Sequence, residues 1–411
     1  MEKHRKKDGA PSRPEWEDLD AWVRDQVRQF IQQALEDEVT ELLGRQKSRR
    51  RAPVDAAPGY RNGSGPPRKL TLSCGTITVR RPRVRDLTER FESRVLPLFK
   101  RKSKAVGDLL PELYLHGLAQ GDFALALRGL LGEGAPLSGS TVARLTEKWQ
   151  ADLEEWQTRR LDEVEAVYLW VDGIYVKAGL EREKAALLVV LAALSDGRKV
   201  VLSVTPGHRE STRSWAEVLR DLKRRGLHDP RLVIGDGHLG IWGALCQVYP
   251  EAAEQRCWNH KLLNVLDKLP KSQQAAGKAL LRQIPYAATR TAAERQRDQF
   301  VAWCERRGHV QAARCLLEDW ERMVTFYAFP QAHWQHLRTT NPVESPFAAA
   351  RLRTDAAKRF KKVANATAVI WKLLLVAERA FRRVKHPELM KGVYDGVPYV
   401  DGIEGNTKAA A

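Results

Sequence analysis

The middle of the chain is a succession of apolar stretches, and this pattern limits the possible folds more than any other feature. Strand-like segments occupy 166–178 (AVYLWVDGIYVKA), 184–194 and 199–206, and a further one at 231–237 follows a helical stretch at 211–226. Their high content of Val, Ile and Leu is typical of strands that are buried on both faces. Strands in close succession, followed by a helix and another strand, indicate a mixed α/β sheet with covered faces.

The N-terminal segment, residues 1–44, has a helical pattern instead. Residues 16–43 place apolar side chains mostly three or four positions apart, which predicts an amphipathic helix. The stripe consists of Trp22, Val23, Val27, Phe30, Ile31, Ala34, Leu35, Val39 and Leu42. Either another part of the chain or a second copy of it must cover this stripe, and the sequence is compatible with both.

Residues 45–104 combine Arg and Lys with Gly, Pro and Ser, and we interpret them as a basic connector. Within it, Leu70 alternates with Leu72 and Ile77 with Val79, on either side of a Cys-Gly pair. This alternation predicts a short β-hairpin.

Residues 105–160 show a helical pattern that is interrupted by glycines. Two helices around a short turn favour a helix-turn-helix DNA-binding region, whose second helix would begin near Thr141 and lie in a major groove. Thr141, Arg144 and Lys148 are then the candidate DNA contacts. An ordinary helical hairpin explains the same pattern and is the alternative.

Positive charge is concentrated in two parts of the chain. The net charge is +18; residues 45–104 hold 18 Lys and Arg against four acidic residues, and residues 351–386 hold 11 against two. Two basic segments suit a protein that follows a long phosphate backbone, because each neutralised phosphate releases counterions. Arg61, Arg81 and Arg83 are the candidate contacts in the first segment. Solvated surface charge or a disordered linker is the alternative explanation of either segment.

Two aspartates follow apolar strands and stand beside glycines. Asp172 lies inside or at the end of the first predicted strand, and Asp236 lies just past a later one, so we expect both at one end of the sheet. The glycines leave room for a metal ion and a phosphate to approach the backbone. Two divalent ions that assist phosphodiester chemistry need carboxylates from several places, so a third acid is required. A turn or capping role for each aspartate is the alternative.

The remaining features favour a cytoplasmic protein that does not cross a membrane. The five cysteines show no paired spacing, and the first 20 residues contain no apolar stretch typical of a signal peptide. The longest apolar run, 185–194, has half of the roughly 20 residues that a membrane-spanning helix needs, so we predict a buried strand there. After Trp258 a helical period returns and continues through 261–335.

Three motifs resemble those of the Mutator-type transposases of bacterial insertion sequences. They are DGHLGIWGAL, QRCWNHKLLNVLDKLPKS and HWQHLRTTNPVESPFAAARLRT, in this order and at similar separations. The resemblance extends backwards through YRNG, GTITVRRPRVR and LYLHG, and covers roughly residues 20 to 400.

The resemblance implies a ribonuclease-H-like fold, similar to that of retroviral integrases, with a metal site formed by Asp172, Asp236 and Glu344. We expect this site to bind Mg²⁺, with Mn²⁺ able to substitute. The gaps are 64 residues (236 − 172) and 108 residues (344 − 236), and the second gap is wide enough for an all-helical insertion.

This assignment completes the predicted domain organisation. The ribonuclease-H-like catalytic core would comprise residues 161–260 and 336–385, interrupted by the helical insertion at 261–335. The mainly helical DNA-binding region precedes the core, and residues 386–411 form a C-terminal tail.

Cys257 and His260 correspond to a Cys-x-x-His signature of the family. A structural zinc site normally needs four side chains, and His238, Cys246 and His336 are the remaining candidates in the sequence. We favour a catalytic role for His260, hydrogen-bonded to phosphate or to a catalytic carboxylate. A plain packing role is the alternative.

Several arginines flank Glu344. Arg338 precedes it, while Arg351 and Arg353 follow on a predicted helix. Arg351 would lie about two turns after Glu344 on the same face of that helix and could bind DNA phosphate. Pro346 departs from the family pattern, in which a residue other than proline is expected at this position. Proline is unfavourable inside a helix. A helix that begins at Pro346 would place Glu344 just ahead of it.

The leading hypothesis is a transposase that binds terminal inverted repeats, cleaves double-stranded DNA at the element ends and joins the freed 3′ hydroxyl to target DNA. Because two ends must be brought together, we expect a homodimer or a larger assembly on DNA. The alternatives are a catalytically inactive, sequence-specific DNA-binding protein derived from a transposase and a metal-dependent nuclease of the same fold.

Overall fold

The computed structural model describes residues 14–50, 58–118, 122–132, 139–179, 184–207, 211–237, 239–357 and 359–405. The chain forms two compact units, Met1–Leu145 and Thr146–Ala411.

The first unit contains a long helix, two antiparallel strand pairs and shorter helices. After a 3-10 helix at Trp16–Asp18 come α1 (Leu19–Leu43), β1 (Tyr60–Ser64), β2 (Arg68–Leu72), β3 (Gly75–Val79), β4 (Pro82–Arg85), α2 (Lys104–Leu115), α3 (Phe123–Ala126) and α4 (Arg128–Leu131). Strand β1 pairs with β4, and β2 pairs with β3. Leu70 lies opposite Ile77, so the predicted hairpin is confirmed.

Helix α1 buries one row of side chains that are spaced by four residues. Leu35, Val39 and Leu43 are buried, and Val27 and Ile31 are partly buried. Val27, Ile31 and Leu35 pack against the β2–β3 hairpin, so another part of the same chain covers this row.

The apolar stripe predicted for this helix is wider than the row of side chains that the structure buries. Trp22, Phe30 and Leu42 lie off the buried row and are exposed. A spacing of three and four residues covers a broad arc of the helix, whereas a two-stranded hairpin contacts only a narrow strip.

The helices before α5 (Gly139–Thr158) are shorter than the sequence pattern indicated. Helix α2 ends at Leu115, and Gly117 follows with a φ of +103°. This left-handed conformation favours glycine and stops the helix. Two four-residue helices, α3 and α4, come next, so the first of the two predicted helices is divided into shorter ones.

The second unit is built on a central sheet surrounded by helices. Its strands and first helices are β5 (Ala166–Val176), β6 (Ala185–Leu194), β7 (Lys199–Gly207), α6 (Thr212–Arg224), β8 (Leu232–Gly235), α7 (Leu239–Val248) and β9 (Ala253–Arg256). Then follow α8 (Trp258–Leu266), α9 (Lys271–Leu281), α10 (Arg290–Glu305), α11 (Val310–Leu317), α12 (Trp320–Val324), α13 (Trp334–Leu337), α14 (Asn341–Glu344), α15 (Phe347–Ala357), α16 (Val363–Glu378), α17 (Met390–Asp395), β10 (Tyr399–Val400) and β11 (Ile403–Glu404), with 3-10 helices at Ile284–Tyr286, Thr325–Ala328, Gln331–His333 and Pro387–Leu389.

The central sheet has five strands in the order β7-β6-β5-β8-β9. Strands β7, β6 and β5 are mutually antiparallel, whereas β8 and β9 run parallel to β5. The predicted mixed α/β sheet is therefore confirmed. Strand β6 is the longest apolar run of the sequence and is buried along nearly its whole length.

The two faces of β5 contact different helices. Leu169 and Val171 belong to the core that α6 and α7 complete on one face. On the opposite face, the Tyr168 hydroxyl lies 2.8 Å from Nδ1 of His333, and Nε1 of Trp170 donates to the carbonyl of His336 at 2.9 Å. Because side chains alternate along a strand, residue 172 shares the face of Trp170.

None of the helices within the described ranges combines the length and the apolar character that crossing a membrane requires. The five cysteines are free thiols.

Candidate active site

Asp172 lies within β5, and Asp236 directly follows the neighbouring parallel strand β8. Asp172 is inside β5, opposite Val189 of β6. Across the other edge of β5, Trp170 lies opposite Ile234 of β8, which is an offset of 64 residues. Extending this register by two residues, one of them beyond the end of β8, aligns Asp236 with Asp172, and neighbouring strands are about 4.8 Å apart. The separation of the aspartates in the sequence therefore equals the register offset between their strands.

The turn that carries Asp236 depends on its glycines. Gly237 has a φ of +91°, and a β-carbon there would overlap the guanidinium of Arg256. A β-carbon at Gly235 would lie 3.4 Å from the Trp242 ring on α7. Glycine thus allows the chain to leave β8 sharply and to pack closely on both sides of Asp236.

Glu344 is held in place by Thr340, which in turn contacts Cys257, the residue after β9. It is the last residue of α14, which packs against β5 and β6. The hydroxyl of Thr340 donates to Oε1 of Glu344 and lies 3.2 Å from Sγ of Cys257, and the backbone N–H of Thr340 donates to the same sulfur at 3.3 Å. Sequence reasoning gave Thr340 no role, although its position four residues before Glu344, one helical turn, was a usable signal.

His260 lies beside Glu344, on the first turn of α8. Its Nδ1 is 3.9 Å from Oε1 of Glu344, so this contact is an ion pair and not a hydrogen bond to the carboxylate, whereas a hydrogen bond of His260 to phosphate stays a prediction. A hydrogen bond with Cys257 raises the pKa of His260 to about 9, and the charges of Cys257, Glu344 and Asp172 act in the same direction against the effect of burial. The imidazolium is therefore favoured at neutral pH.

Burial raises the pKa of Asp172 to about 7, and the carboxylates of Asp236 and Glu344 also raise it. The N–H of Gly173, which donates to Oδ1 at 2.8 Å, and the charge of His260 oppose this shift. Crowded carboxylates of this kind are stabilised by a cation, and oxygen donors are the ligands that Mg²⁺ prefers. The donor set therefore fits a divalent hard metal ion.

Cys257, His260 and Glu344 also offer ligand atoms that all lie within 4.8 Å of one another. A structural zinc site needs a fourth side chain. His336 accepts a hydrogen bond from the backbone N–H of Lys385, Cys246 is exposed on α7, and His238 is outside the described residues. The described residues thus provide three possible zinc ligands and not four.

A partly buried ion cluster lies behind the turn that carries Asp236. Asp319 accepts from Arg256, has Nζ of Lys261 at 3.5 Å and accepts from Arg322 at 3.2 Å. Lys261 also donates to the carbonyl of Glu318 at 2.6 Å. Sequence reasoning missed this cluster, because Arg256 and Asp319 are 63 residues apart and Asp319 stands in no motif.

The arginines after Glu344 differ in exposure. Helix α14 ends at Glu344 and α15 begins at Phe347, so the helix is interrupted at Pro346 and the expected alignment of Arg351 with Glu344 does not apply. Arg351 is exposed. Arg353 is buried, with 2% of its surface exposed, and is not presented to a phosphate.

In the first unit, arginines line a cleft of about 810 Å³. Its basic side chains are Arg68, Arg81, Arg83, Arg85, Arg90 and Arg101, with Asp86 and Glu89 as the acidic residues. Burial lowers the pKa of Arg68, and repulsion by Arg81 and Arg101 lowers it further. The cleft therefore contains Arg81 and Arg83 of the predicted DNA contacts and favours a polyanion.

The other predicted DNA contacts have different surroundings. Arg61 donates to Glu36 at 2.8 Å and to Thr40 at 2.7 Å on α1. Arg144 and Lys148 are exposed and one helical turn apart on α5. The side chain of Thr141 lies outside the described part of the chain.

Comparison with known proteins shows the family of the chain. Residues 3–383 match the family described as "Transposase, Mutator family". The transposase for insertion sequence element IS6120 of Mycolicibacterium smegmatis is 43% identical over 72% of this chain and 92% of its own length. The transposase for insertion sequence element IST2 of Acidithiobacillus ferrooxidans is 38% identical over 68% of this chain and 95% of its own length. The transposase for ISRM5 of Rhizobium meliloti (strain 1021) is 31% identical over 82% and 83%, respectively. The chain belongs to the Mutator family of transposases.

Proposed function

We propose that this transposase binds the terminal inverted repeats of its element, cleaves the DNA at the element ends and transfers the freed 3′ ends to target DNA at Asp172, Asp236 and Glu344. The observation that carries the proposal is the register of β5 and β8, which aligns Asp172 with Asp236 when it is extended by two residues. The contacts of α14, which ends at Glu344, with β5 and β6 support the third position. The sheet order, three antiparallel strands followed by two parallel ones, supports a ribonuclease-H-like core.

The three carboxylates would hold Mg²⁺, with Mn²⁺ as a substitute. When bound, such ions act as Lewis acids and lower the pKa of an attacking water or hydroxyl. Thr340 orients Glu344 through its hydroxyl. His260, whose raised pKa favours the imidazolium, supplies a positive charge that can donate a hydrogen bond to a phosphate oxygen.

The basic cleft of the first unit and the exposed pair Arg144 and Lys148 would bind the DNA backbone. Two element ends take part in each transposition, so the active species is a homodimer or a larger assembly on DNA. We place the reaction in the bacterial cytoplasm, where the chromosomal DNA is the target.

Mobilisation of a marker in cells tests the proposal. A selectable marker is placed between the DNA ends that flank the native gene, and insertions are counted for wild type, Asp236→Asn and the control Asp298→Asn, whose carboxylate is 63% exposed. We expect insertions with wild type and the control and none with Asp236→Asn, although that variant still binds the ends. Equal insertion with Asp236→Asn would refute the site, and a wild type that binds the ends without insertion would indicate a binding protein.

A further inference from the structure

A cavity in the second unit combines aromatic and cationic side chains. It measures about 440 Å³, which is within the roughly 300–1,000 Å³ typical of pockets for small organic groups. Tyr286 and Trp334 contribute rings to its lining, and Arg338, Lys385 and His386 contribute basic groups. No carboxylate is found among its described lining residues, so the cavity suits an anion that also has an aromatic part.

Aromatic rings surround the guanidinium of Arg338, and no acid among the described residues pairs with it. Its guanidinium carbon lies 4.8 Å from the ring centre of Tyr286, 5.2 Å from that of Phe326 and 5.6 Å from that of Trp334. Its Nε is buried and has no hydrogen-bond partner among the described residues. Burial lowers the pKa of Arg338, and no described carboxylate opposes that effect. A cation in this position retains hydrogen-bonding capacity for an external anion.

Tyr286 presents a large aromatic ring at the surface. It ends the 3-10 helix Ile284–Tyr286 and is 73% exposed. Its backbone N–H donates to the carbonyl of Gln283 at 3.1 Å, so the residue that carries the ring is anchored. The contact with Arg338 leaves most of the residue uncovered, and a nucleic-acid base can stack on such a ring.

Hydrogen bonds connect the segment that lines the cavity with α8, which carries His260, and with β5, which carries Asp172. The carbonyl of Arg338 accepts from the backbone N–H of Trp258, the first residue of α8. Nε1 of Trp170, two residues before Asp172 on β5, donates to the carbonyl of His336. A nucleotide bound in the cavity would therefore be fixed to the same framework as Asp172 and Glu344.

We propose that this cavity binds one unpaired nucleotide of a DNA strand, with the phosphate on Arg338 and Lys385 and the base stacked on Tyr286. This inference rests on the proposed function and adds a defined subsite to it. A base that leaves the duplex costs a few kcal/mol of stacking and pairing, which an aromatic pocket offsets. Such a subsite would hold the strand end in a fixed position relative to the acids.

Photochemical cross-linking of the full-length protein tests the subsite. The probe is a short duplex with a single-stranded overhang of 5-iododeoxyuridine, a base that cross-links to stacked aromatic side chains on irradiation. The experiment is carried out in EDTA, so that cleavage is not required, and the cross-linked residue is identified by mass spectrometry. Binding of the same probe is measured separately by fluorescence anisotropy.

We expect a cross-link at Tyr286 that Tyr286→Phe retains and Tyr286→Leu loses. Arg338→Gln should lower its yield about tenfold, in line with the loss of one charged phosphate contact. The control Arg314→Gln removes the same charge from a side chain that is 81% exposed outside the cavity and should leave the yield unchanged. Thermal unfolding of each variant confirms that it is folded.

The failures of the two proposals are distinguishable. A protein that binds the probe but cross-links only at other residues, or equally well after Arg338→Gln, overturns the subsite alone. A protein that binds no DNA in any form overturns both the subsite and the proposed function.

Discussion

At the scale of single residues, Asp172 combines two features that oppose its negative charge. Its side chain is partly buried, and the carboxylates of Asp236 and Glu344 are close enough to raise its pKa. This shift costs stability in the metal-free protein as the pH rises from the usual pKa of 3.8 to about 7, and the full cost persists above that pH. Proteins commonly accept this kind of cost at a functional site.

Replacing Asp172 should therefore stabilise the protein while removing its activity. At pH 8 in EDTA, we expect the free energy of unfolding of Asp172→Asn to exceed that of wild type by roughly 2 kcal/mol, because asparagine carries no charge. Chemical denaturation measures this difference, with the exposed Asp298→Asn as the control. Addition of Mn²⁺ should stabilise wild type more than Asp172→Asn. A less stable Asp172→Asn would contradict the assigned charge crowding.

His336 should make the stability of the protein depend on pH. Burial, followed by the charges of Lys199, His333 and Lys385, lowers its pKa from 6.5 to about 4. Between these values the unfolded chain binds a proton that the folded chain does not, so stability is lost as the pH falls from about 6.5 towards 4.

The difference in unfolding free energy between wild type and His336→Gln isolates this effect. Glutamine can still accept the hydrogen bond from Lys385 but does not titrate. We expect wild type to lose on the order of 1 kcal/mol more than the variant between pH 7 and pH 5. Parallel pH profiles for the two proteins would show that His336 is not responsible.

The positions of the two aspartates at apolar strands could be predicted from the sequence, but the contacts that hold the surrounding site residues could not. Each aspartate stands next to glycine at an apolar strand, which is a local pattern. Thr340 acts through Cys257, 83 residues away, and this contact exists only after the strands and helices have assembled. The resemblance to a family, and not the local pattern, is what made Glu344 and His260 candidate site residues.

At the scale of elements, the turn after β8 depends on Asp319, a residue of the helical segment 261–335. Arg256 covers Gly237 and is itself fixed by Asp319, which precedes α12 and has a φ of +66°. Asp319 also contacts Lys261, the residue after His260. One partly buried carboxylate thus connects the turn of Asp236 with the helix of His260.

Two glycine substitutions distinguish backbone strain from loss of this packing. Gly237→Ala and Gly308→Ala both place alanine at a positive φ, but only position 237 has a side chain, that of Arg256, in the way. We expect Gly308→Ala to cost about 1 kcal/mol of stability and Gly237→Ala roughly 3 kcal/mol, with strongly reduced DNA cleavage. Thermal unfolding and a cleavage assay measure the two effects. Equal costs at both positions would show that Arg256 moves away freely.

Elements were predictable where a local pattern had one interpretation. The β2–β3 hairpin and the strands β5 to β8 followed from alternation and from apolar runs. The helices α2 to α4 did not, because a helical period alone does not reveal where a left-handed glycine such as Gly117 ends a helix. The register of β5 with β8, on which the site depends, also lies beyond local patterns.

At the scale of the whole molecule, the excess of positive charge should govern DNA binding. The logarithm of the binding constant should fall linearly with the logarithm of salt concentration, with a slope of about 0.9 per phosphate contact. Arg83→Gln, in the basic cleft, should reduce this slope by about one contact. Arg213→Gln, on a side chain that is 89% exposed on α6, should leave it unchanged. Fluorescence anisotropy at several salt concentrations measures both slopes, and an unchanged slope for Arg83→Gln would exclude this arginine as a contact.

The most direct test of the metal-dependent site is cleavage of DNA by the purified protein. A duplex that carries one element end is incubated with Mg²⁺ or with EDTA, and the cleaved and the joined products are separated by electrophoresis. We predict both products for wild type with Mg²⁺ alone, and a loss of about a thousandfold or more in rate for Glu344→Gln, equivalent to about 4 kcal/mol of transition-state stabilisation. The control Glu217→Gln, on a side chain that is 64% exposed, should behave as wild type. Cleavage in EDTA, or an unchanged rate for Glu344→Gln with intact DNA binding, would contradict the assignment of Asp172, Asp236 and Glu344 as the catalytic metal site.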